Sequence, residues 1–258
     1  MRVISICPSN TEIVQYIGKT EHMVAVDDFS DWPPEVKGLP RVGPDLSINM
    51  DKVEELKPDL VLASLSVPGM EKNIEELERR KLPFITLNPN SLDEIADDIK
   101  SIATAMGYER LGEQKSKEFM NEVNQYRNQA QKVKNKPSLY WEWWPKPVFT
   151  PGKLNWLTEI SRLAGAYNIF ETVELASVQT DWEDVKKRNP DYICMVWVGV
   201  KESKMNPELV KKRPGWQEMK AIQQNQIYVL EESLYCRPSP RLLEGLKKLT
   251  DILNAKRI

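Results

Sequence analysis

Hydrophobic and polar positions alternate along this chain between two rhythms. Short β-rich runs, RVISI, HMVAV, LVLAS and FITL, are separated by stretches whose apolar residues recur at helical spacing. SNTE, from Ser9 to Glu12, matches a capping box and opens a predicted helix that stops at Gly18. SDWPP reads as a turn, because Pro33 and Pro34 cannot continue a strand ladder. NMDKVEELKPD predicts a short helix ending before Pro58. MEKNIEELERRK predicts an amphipathic one with Met70, Ile74 and Leu77 on one stripe. SLDE then caps a helix that runs to Gly107.

The stretch from 108 to 134 breaks this rhythm. It has no proline, one glycine and a thin apolar stripe: Leu111, Phe119, Val123, Tyr126, Ala130 and Val133. A helix of ~26 residues is about 39 Å long, too long and too polar for an ordinary crossover. It reads as a strut. The α/β rhythm then resumes. SLYWEWW, YICMVW and QIYVL predict strands, LNWLTEISRLAG a helix closed by Gly165, TDWE a capping box, and SPRLLEGLKKLTDIL the last helix. The expected organisation is an α/β lobe over 1–107, a connecting helix over 108–135 and a second α/β lobe over 136–258. An internal echo supports two similar lobes. DKVEELKPDLVLAS and EDVKKRNPDYICMV both place Pro-Asp between a charged helix end and a buried strand, with Pro58-Asp59 matching Pro190-Asp191.

Composition narrows the function classes. The 258 residues are 41% apolar and 29% charged, with a net charge of −2 and no basic block, so no nucleic-acid partner is expected. The N-terminus lacks the apolar stretch of a signal peptide, so the chain as written carries no export signal. The odd count of three cysteines, without C-x-x-C, argues against a disulfide framework or zinc knuckle. The single histidine, His22, rules out multi-imidazole zinc sites, and no G-x-S-x-G elbow accompanies it. Gly38 and Gly43 have P-loop spacing, but Pro44 stands where lysine is needed, and no G-x-G-x-x-G occurs.

Aromatic and polar side chains at predicted strand ends are present instead. YWEWWPKPVFTPGKLNW holds four of the eight tryptophans. Open α/β sheets bind ligands beyond the carboxyl ends of their strands. Those ends carry Ser9 and Asn10, Ser64 and Ser66, Trp143 and Trp144, and Trp197. Adjacent residues of a strand face opposite ways, so Trp143 and Trp144 cannot both fill one core face.

In order, RVISICPSNTEIVQYIG, FSDWPPEV, INMDKVEELKPDLVLAS, VFTPGKLNWLTEISRLAGAYNIF and RPSPRLLEGLKKL resemble the substrate-binding proteins of ABC importers for cobalamin and iron-siderophores. The similarity runs collinearly over nearly the whole chain. It implies two Rossmann-like lobes joined by a single long helix, no catalysis, and a ligand between the lobes. It also implies a location outside the cytoplasm and a membrane permease as partner that docks on one surface acid per lobe; the chain itself is expected to be a monomer. The matching acids are Glu71 and Glu218. The resemblance assigns Trp32, Trp143, Trp144, Trp197 and Tyr235 to an aromatic wall, and places Arg237 beside it. Ferric-siderophore members show several arginines for an anionic complex, whereas this chain has only Arg41, Arg237 and Arg241 near strand ends. The balance favours a cobalamin-like ring ligand, not covalently bound, over a ferric siderophore or haem. Two departures stand out. Ser64 replaces a tryptophan after the third strand, and Glu231 and Glu232 are offset from the family's acid before the last helix. The rivals are an intracellular corrinoid or tetrapyrrole carrier or sensor, and an enzyme on the same scaffold working through Glu142 or Glu183.

Overall fold

A computed structural model describes residues 1–255. Eleven strands are named here in chain order: β1 (Val3–Ser5), β2 (Met23–Val26), β3 (Leu60–Ser64), β4 (Phe84–Leu87), β5 (Ser138–Glu142), β6 (Trp144–Pro145), β7 (Val148–Pro151), β8 (Tyr167–Asn168), β9 (Ser177–Thr180), β10 (Tyr192–Met195) and β11 (Ile227–Val229). The helices are α1 (Pro8–Tyr16), α2 (Met50–Glu55), α3 (Glu71–Arg79), α4 (Leu92–Ala105), α5 (Glu109–Ala130), α6 (Trp156–Leu163), α7 (Trp182–Arg188), α8 (Pro207–Lys211), α9 (Lys220–Gln223), α10 (Glu232–Tyr235) and α11 (Leu242–Asn254). The fold is α/β in two units linked through α5. One unit holds Met1–Asn121 and the tripeptide Pro238–Pro240. The other holds Glu122–Arg237 and the chain from Arg241 onward.

Each unit is built on a four-stranded parallel sheet, β2-β1-β3-β4 in the first and β8-β5-β10-β11 in the second. In chain order both read second, first, third, fourth. The Pro-Asp echo has a physical basis in this repeated topology. Asp59 accepts the backbone N–H of Arg2 at 2.6 Å and donates its own N–H back to Arg2 O at 2.8 Å. Asp191 accepts the N–H and hydroxyl of Ser138 at 2.9 and 2.7 Å and donates back to Ser138 O at 3.1 Å. Each aspartate thus clamps the start of its unit's third strand to the start of the first. The turns before the strands repeat as well. Left-handed residues end the helical segments before the second strands (Gly18 and Gly165), the third strands (Lys57 and Asn189) and the fourth strands (Lys81 and Asn225). Only glycine adopts this backbone without cost, so the two lysines carry some strain.

Packing follows from the pattern. Ile4, Ala25, Val53, Val61 and Leu77 belong to one core cluster, and Tyr140, Val185, Ile193, Met195 and Trp216 to another. The polar helix α5 has 22 residues, about 33 Å at 1.5 Å each. Its buried stripe includes Ser116, Phe119, Val123 and Ala130. Gly112 extends that stripe, because a Cβ there would lie 2.6 Å from the Cβ of Ala103 on α4.

Three local expectations change. The Ser9–Glu12 capping box does not form: α1 starts at Pro8 with Cys7 at its N-cap, and no side chain caps it. Glu12 instead turns inward and accepts from the Ser239 hydroxyl. In TDWE the cap is Asp181, which accepts from Asp184 N at 2.9 Å, one position later than expected. SLYWEWW is not one strand. It breaks at Trp143 into parallel β5 and antiparallel β6, because Trp143 N pairs with Phe149 O across a hairpin. The SLDE cap does form, with Ser91 Oγ accepting from Glu94 N at 3.2 Å.

Asp98, on α4, is half-buried and its Oδ2 has no hydrogen-bond partner. Burial, helped by Glu94 and Asp97, pushes its carboxyl up to about 7. A raised carboxyl favours the folded state below the unfolded pKa, and that contribution is lost as pH rises through about 7. Asp98→Asn is therefore expected to gain stability relative to the parent between pH 4 and pH 8, by ~2–4 °C in Tm. A Tm difference independent of pH would contradict this account.

Candidate functional site

Eight tryptophans divide between scaffold and surface. Trp141 is fully buried and donates to Ser161 Oγ at 2.8 Å, and Trp156 donates to Tyr235 O at 2.8 Å. Both are core residues of the second unit. Trp216 is fully buried and donates to Trp182 O at 3.1 Å. Trp182 in turn donates to Pro145 O at 3.0 Å. These two indoles fasten the β6–β7 hairpin to the body of the unit.

Trp144 leaves the hairpin with 42% of its surface exposed. The half-buried Trp197, just past β10, lies beside it with ring centroids 6.4 Å apart. Val198, 45% exposed, continues the patch, and its N–H donates to Trp143 O at 3.2 Å. Trp143, the residue before Trp144, is half-buried, and its indole N–H has no partner. Trp144 and Trp197 thus form an aromatic surface at the carboxyl ends of β5 and β10, where parallel sheets receive ligands.

Beneath this surface lies a buried ion pair. Glu142 ends β5 with no exposure, and Arg213 is 5% exposed. Arg213 Nη2 donates to Glu142 Oε1 at 2.8 Å and Nη1 donates to Oε2 at 2.5 Å. Trp197 Nε1 donates to Oε1 at 3.0 Å, and the Tyr140 hydroxyl donates to Oε2 at 3.0 Å. The guanidinium lies 4.9 Å from the Trp182 ring and 4.5 Å from the Trp216 ring. Burial and the neighbouring Glu142 raise the Tyr140 phenol well above its ordinary value, so it stays a donor.

The first unit presents a smaller set past the end of its second strand, β2. Asp27, just past β2, accepts from Phe29 N at 2.8 Å and from the Ser30 hydroxyl. Arg41 donates to the backbone oxygens of Asp27 and Ser30 at 2.8 and 2.6 Å, and to that of Val36 at 3.3 Å. The loop held this way carries the half-buried Trp32 and leaves Phe29 51% exposed. Sequence reasoning passed over Phe29. Its signal was an aromatic one residue beyond the acidic pair that follows the second strand.

Other expected residues are used internally. Asn10 donates to Ala63 O at 2.9 Å, Ser9 Oγ lies 3.2 Å from Cys7 Sγ, and Ser64 Oγ bonds Ser66 Oγ at 2.9 Å; all three residues are buried. Burial pushes the Cys7 thiol up, so it remains a protonated, unreactive neighbour. Tyr235 departs furthest from its expected place on a wall. It has no exposure, its hydroxyl donates to Gly245 O at 2.8 Å, and its ring packs 5.5 Å from Trp141. The helical turn of α10 points it into the core. Arg237 is paired with Glu232 at 3.4 Å and is only 11% exposed. Glu71 and Glu218 are exposed, and Glu71 also accepts from Gly69 N at 2.7 Å.

Residues 3–234 match the family model described as periplasmic binding protein. The chain belongs to this family. It is 31% identical over 97% of its length to an ABC transporter substrate-binding lipoprotein of Bacillus subtilis, covering 79% of that protein. It is 30% identical over 98% of its length to a vitamin B12-binding protein of Vibrio cholerae, covering 88% of it. A solved structure of a possible iron-binding, periplasmic solute-binding protein from Staphylococcus epidermidis superposes with a TM-score of 0.83 at 30% identity, over 98% of both chains. The family serves ABC importers by capturing small molecules and handing them to a membrane permease, without catalysis. Among the described residues, no helix is long and apolar enough to cross a membrane.

The division of the tryptophans has a direct consequence for stability. Trp216→Ala is expected to cost about 3–5 kcal/mol in urea unfolding, and Trp144→Ala less than about 1 kcal/mol. Comparable losses at both positions would show that Trp144 is scaffold too.

Proposed function

We propose that this substrate-binding protein captures a neutral, ring-shaped metal complex of the corrinoid class. The observation that carries the reading is the exposed Trp144 beside Trp197 at the strand ends of the second unit. Trp32, in the loop after β2, is proposed as a further ligand contact. Flat apolar ligand surface is what such rings bind, at on the order of 1 kcal/mol per ring beyond area burial.

Two further facts favour a corrinoid over an anionic iron complex. Arg41, Arg237 and Arg241 are all engaged within the protein, which leaves them poorly placed to neutralise the carboxylates of a ferric siderophore or of haem. Haem iron is usually held by a histidine, cysteine, methionine or tyrosine. His22 bonds the Tyr108 hydroxyl at 2.7 Å, Cys7 is buried, and Tyr235 is spent in the core. The rings of the proposed surface, Trp144 and Trp197, are indoles, which do not ligate iron. They suit a metal already coordinated by its own macrocycle and axial ligands. The vitamin B12-binding relative fits this reading, and the possible iron-binding relative supplies the rival.

Ser9, Asn10, Ser64, Trp143 and Arg237 are proposed as a polar and aromatic surround of the ligand. Glu71 and Glu218 are proposed as the acids that meet the importer's permease, where rim charges set register and on-rate. The proposed site of action is outside the cytoplasm, in keeping with the lipoprotein relative.

Calorimetric titration with cyanocobalamin, dicyanocobinamide, haem and a ferric hydroxamate tests the assignment. The corrinoids are expected to bind with Kd below about 1 μM, and Trp144→Ala and Trp197→Ala to weaken binding by about five- to tenfold each. Binding of the ferric hydroxamate or haem alone would overturn the corrinoid assignment.

A further inference from the structure

We infer that the buried Glu142–Arg213 pair positions both ligand-facing indoles without itself touching ligand; the inference rests on the reading of Trp144 and Trp197 as the ligand surface. The carboxylate accepts four hydrogen bonds: two from Arg213, one from Tyr140 and one from Trp197. The Trp197 indole, half-buried beyond the end of β10, is therefore held by the one acceptor its N–H reaches, Glu142 Oε1. The guanidinium works in the other direction. It packs against Trp182 and Trp216. Trp216 holds the backbone of Trp182, and Trp182 holds Pro145, the residue next to Trp144. Each end of the ion pair thus governs one ring of the couple.

Stability alone is a weak reason for such a pair. A buried ion pair rarely outperforms apolar residues of the same volume, whereas removing one partner leaves a charge unpaired in the interior. What the pair supplies is a planar, two-point geometry that an apolar filling lacks. Rings held in place before ligand arrives lose less freedom on binding. Glu142 and Arg213 are positioning residues on this account.

The test compares the parent with a Glu142→Met, Arg213→Met double variant, which fills the volume without charge. Two readouts are needed. The first requires no ligand: acrylamide quenching of Trp197, obtained as the difference between each protein and its Trp197→Phe derivative. The second is calorimetric binding of cyanocobalamin. The double variant is expected to unfold cooperatively, to expose Trp197 to quencher at least about twofold more, and to bind cyanocobalamin roughly tenfold more weakly. Adding Trp197→Phe to the double variant is expected to weaken binding far less than it does in the parent, the signature of coupled sites. Unchanged quenching of Trp197 and unchanged affinity in a folded double variant would overturn the proposal. If the double variant does not fold, Glu142→Gln, which keeps the shape and removes the charge, carries the same quenching comparison. If the parent itself binds no corrinoid, the ligand reading fails, and the quenching comparison still decides whether the pair positions Trp197.

Discussion

A carboxylate removed entirely from water must be met by charge and hydrogen bonds, and the second unit is arranged around that requirement at Glu142. Its position at the carboxyl end of β5 puts the negative charge where the sheet stops and the loops begin. Arg213 answers the charge, and two tryptophans stack on the arginine. A third tryptophan and a tyrosine complete the set of donors. The aromatic density of the YWEWW region follows from this arrangement. Some indoles insulate the pair, some carry its geometry to the hairpin, and Trp144 is left exposed beside the half-buried Trp197.

The scaffold and the site obey different rules. The two parallel sheets share strand order, the left-handed turns that feed the second, third and fourth strands, and the aspartate that ties the third strand to the first. These features meet backbone needs that any such sheet has, and they repeat. The hairpin of β6 and β7, extended by β9 into a small antiparallel sheet, has no counterpart among the strands of the first unit. Trp144 stands on this addition. The proposed ligand surface thus lies partly on the element that breaks the repeat.

Much of the fold was legible because hydrophobic period and turn chemistry act locally. Gly18, Pro58, Gly107 and Gly165 mark element ends that the structure keeps, and the Pro-Asp echo pointed to a repeated sheet. The polarity of residues 108–134 pointed to a long helix, which forms as Glu109–Ala130. Long-range pairing was not legible. Nothing near Glu142 in the chain announces Arg213, 71 positions on, and nothing near Glu12 announces Ser239. Tyr235 was misplaced for the same reason. Its neighbours in sequence lie near strand ends, but a single helical turn directs the ring toward Trp141 and the hydroxyl toward Gly245. Phe29 went unnoticed because a lone aromatic in a polar loop has no period, and the Asp27 and Arg41 bonds that fix its loop are visible only in three dimensions.

The most direct measurement is hydroxyl-radical footprinting with and without saturating cyanocobalamin, read residue by residue. The account predicts strong protection of Trp144 and Trp197, with no change at the buried Trp156 and Trp216. Ligand-bound protein in which Trp144 and Trp197 remain as reactive as in the free chain would contradict it.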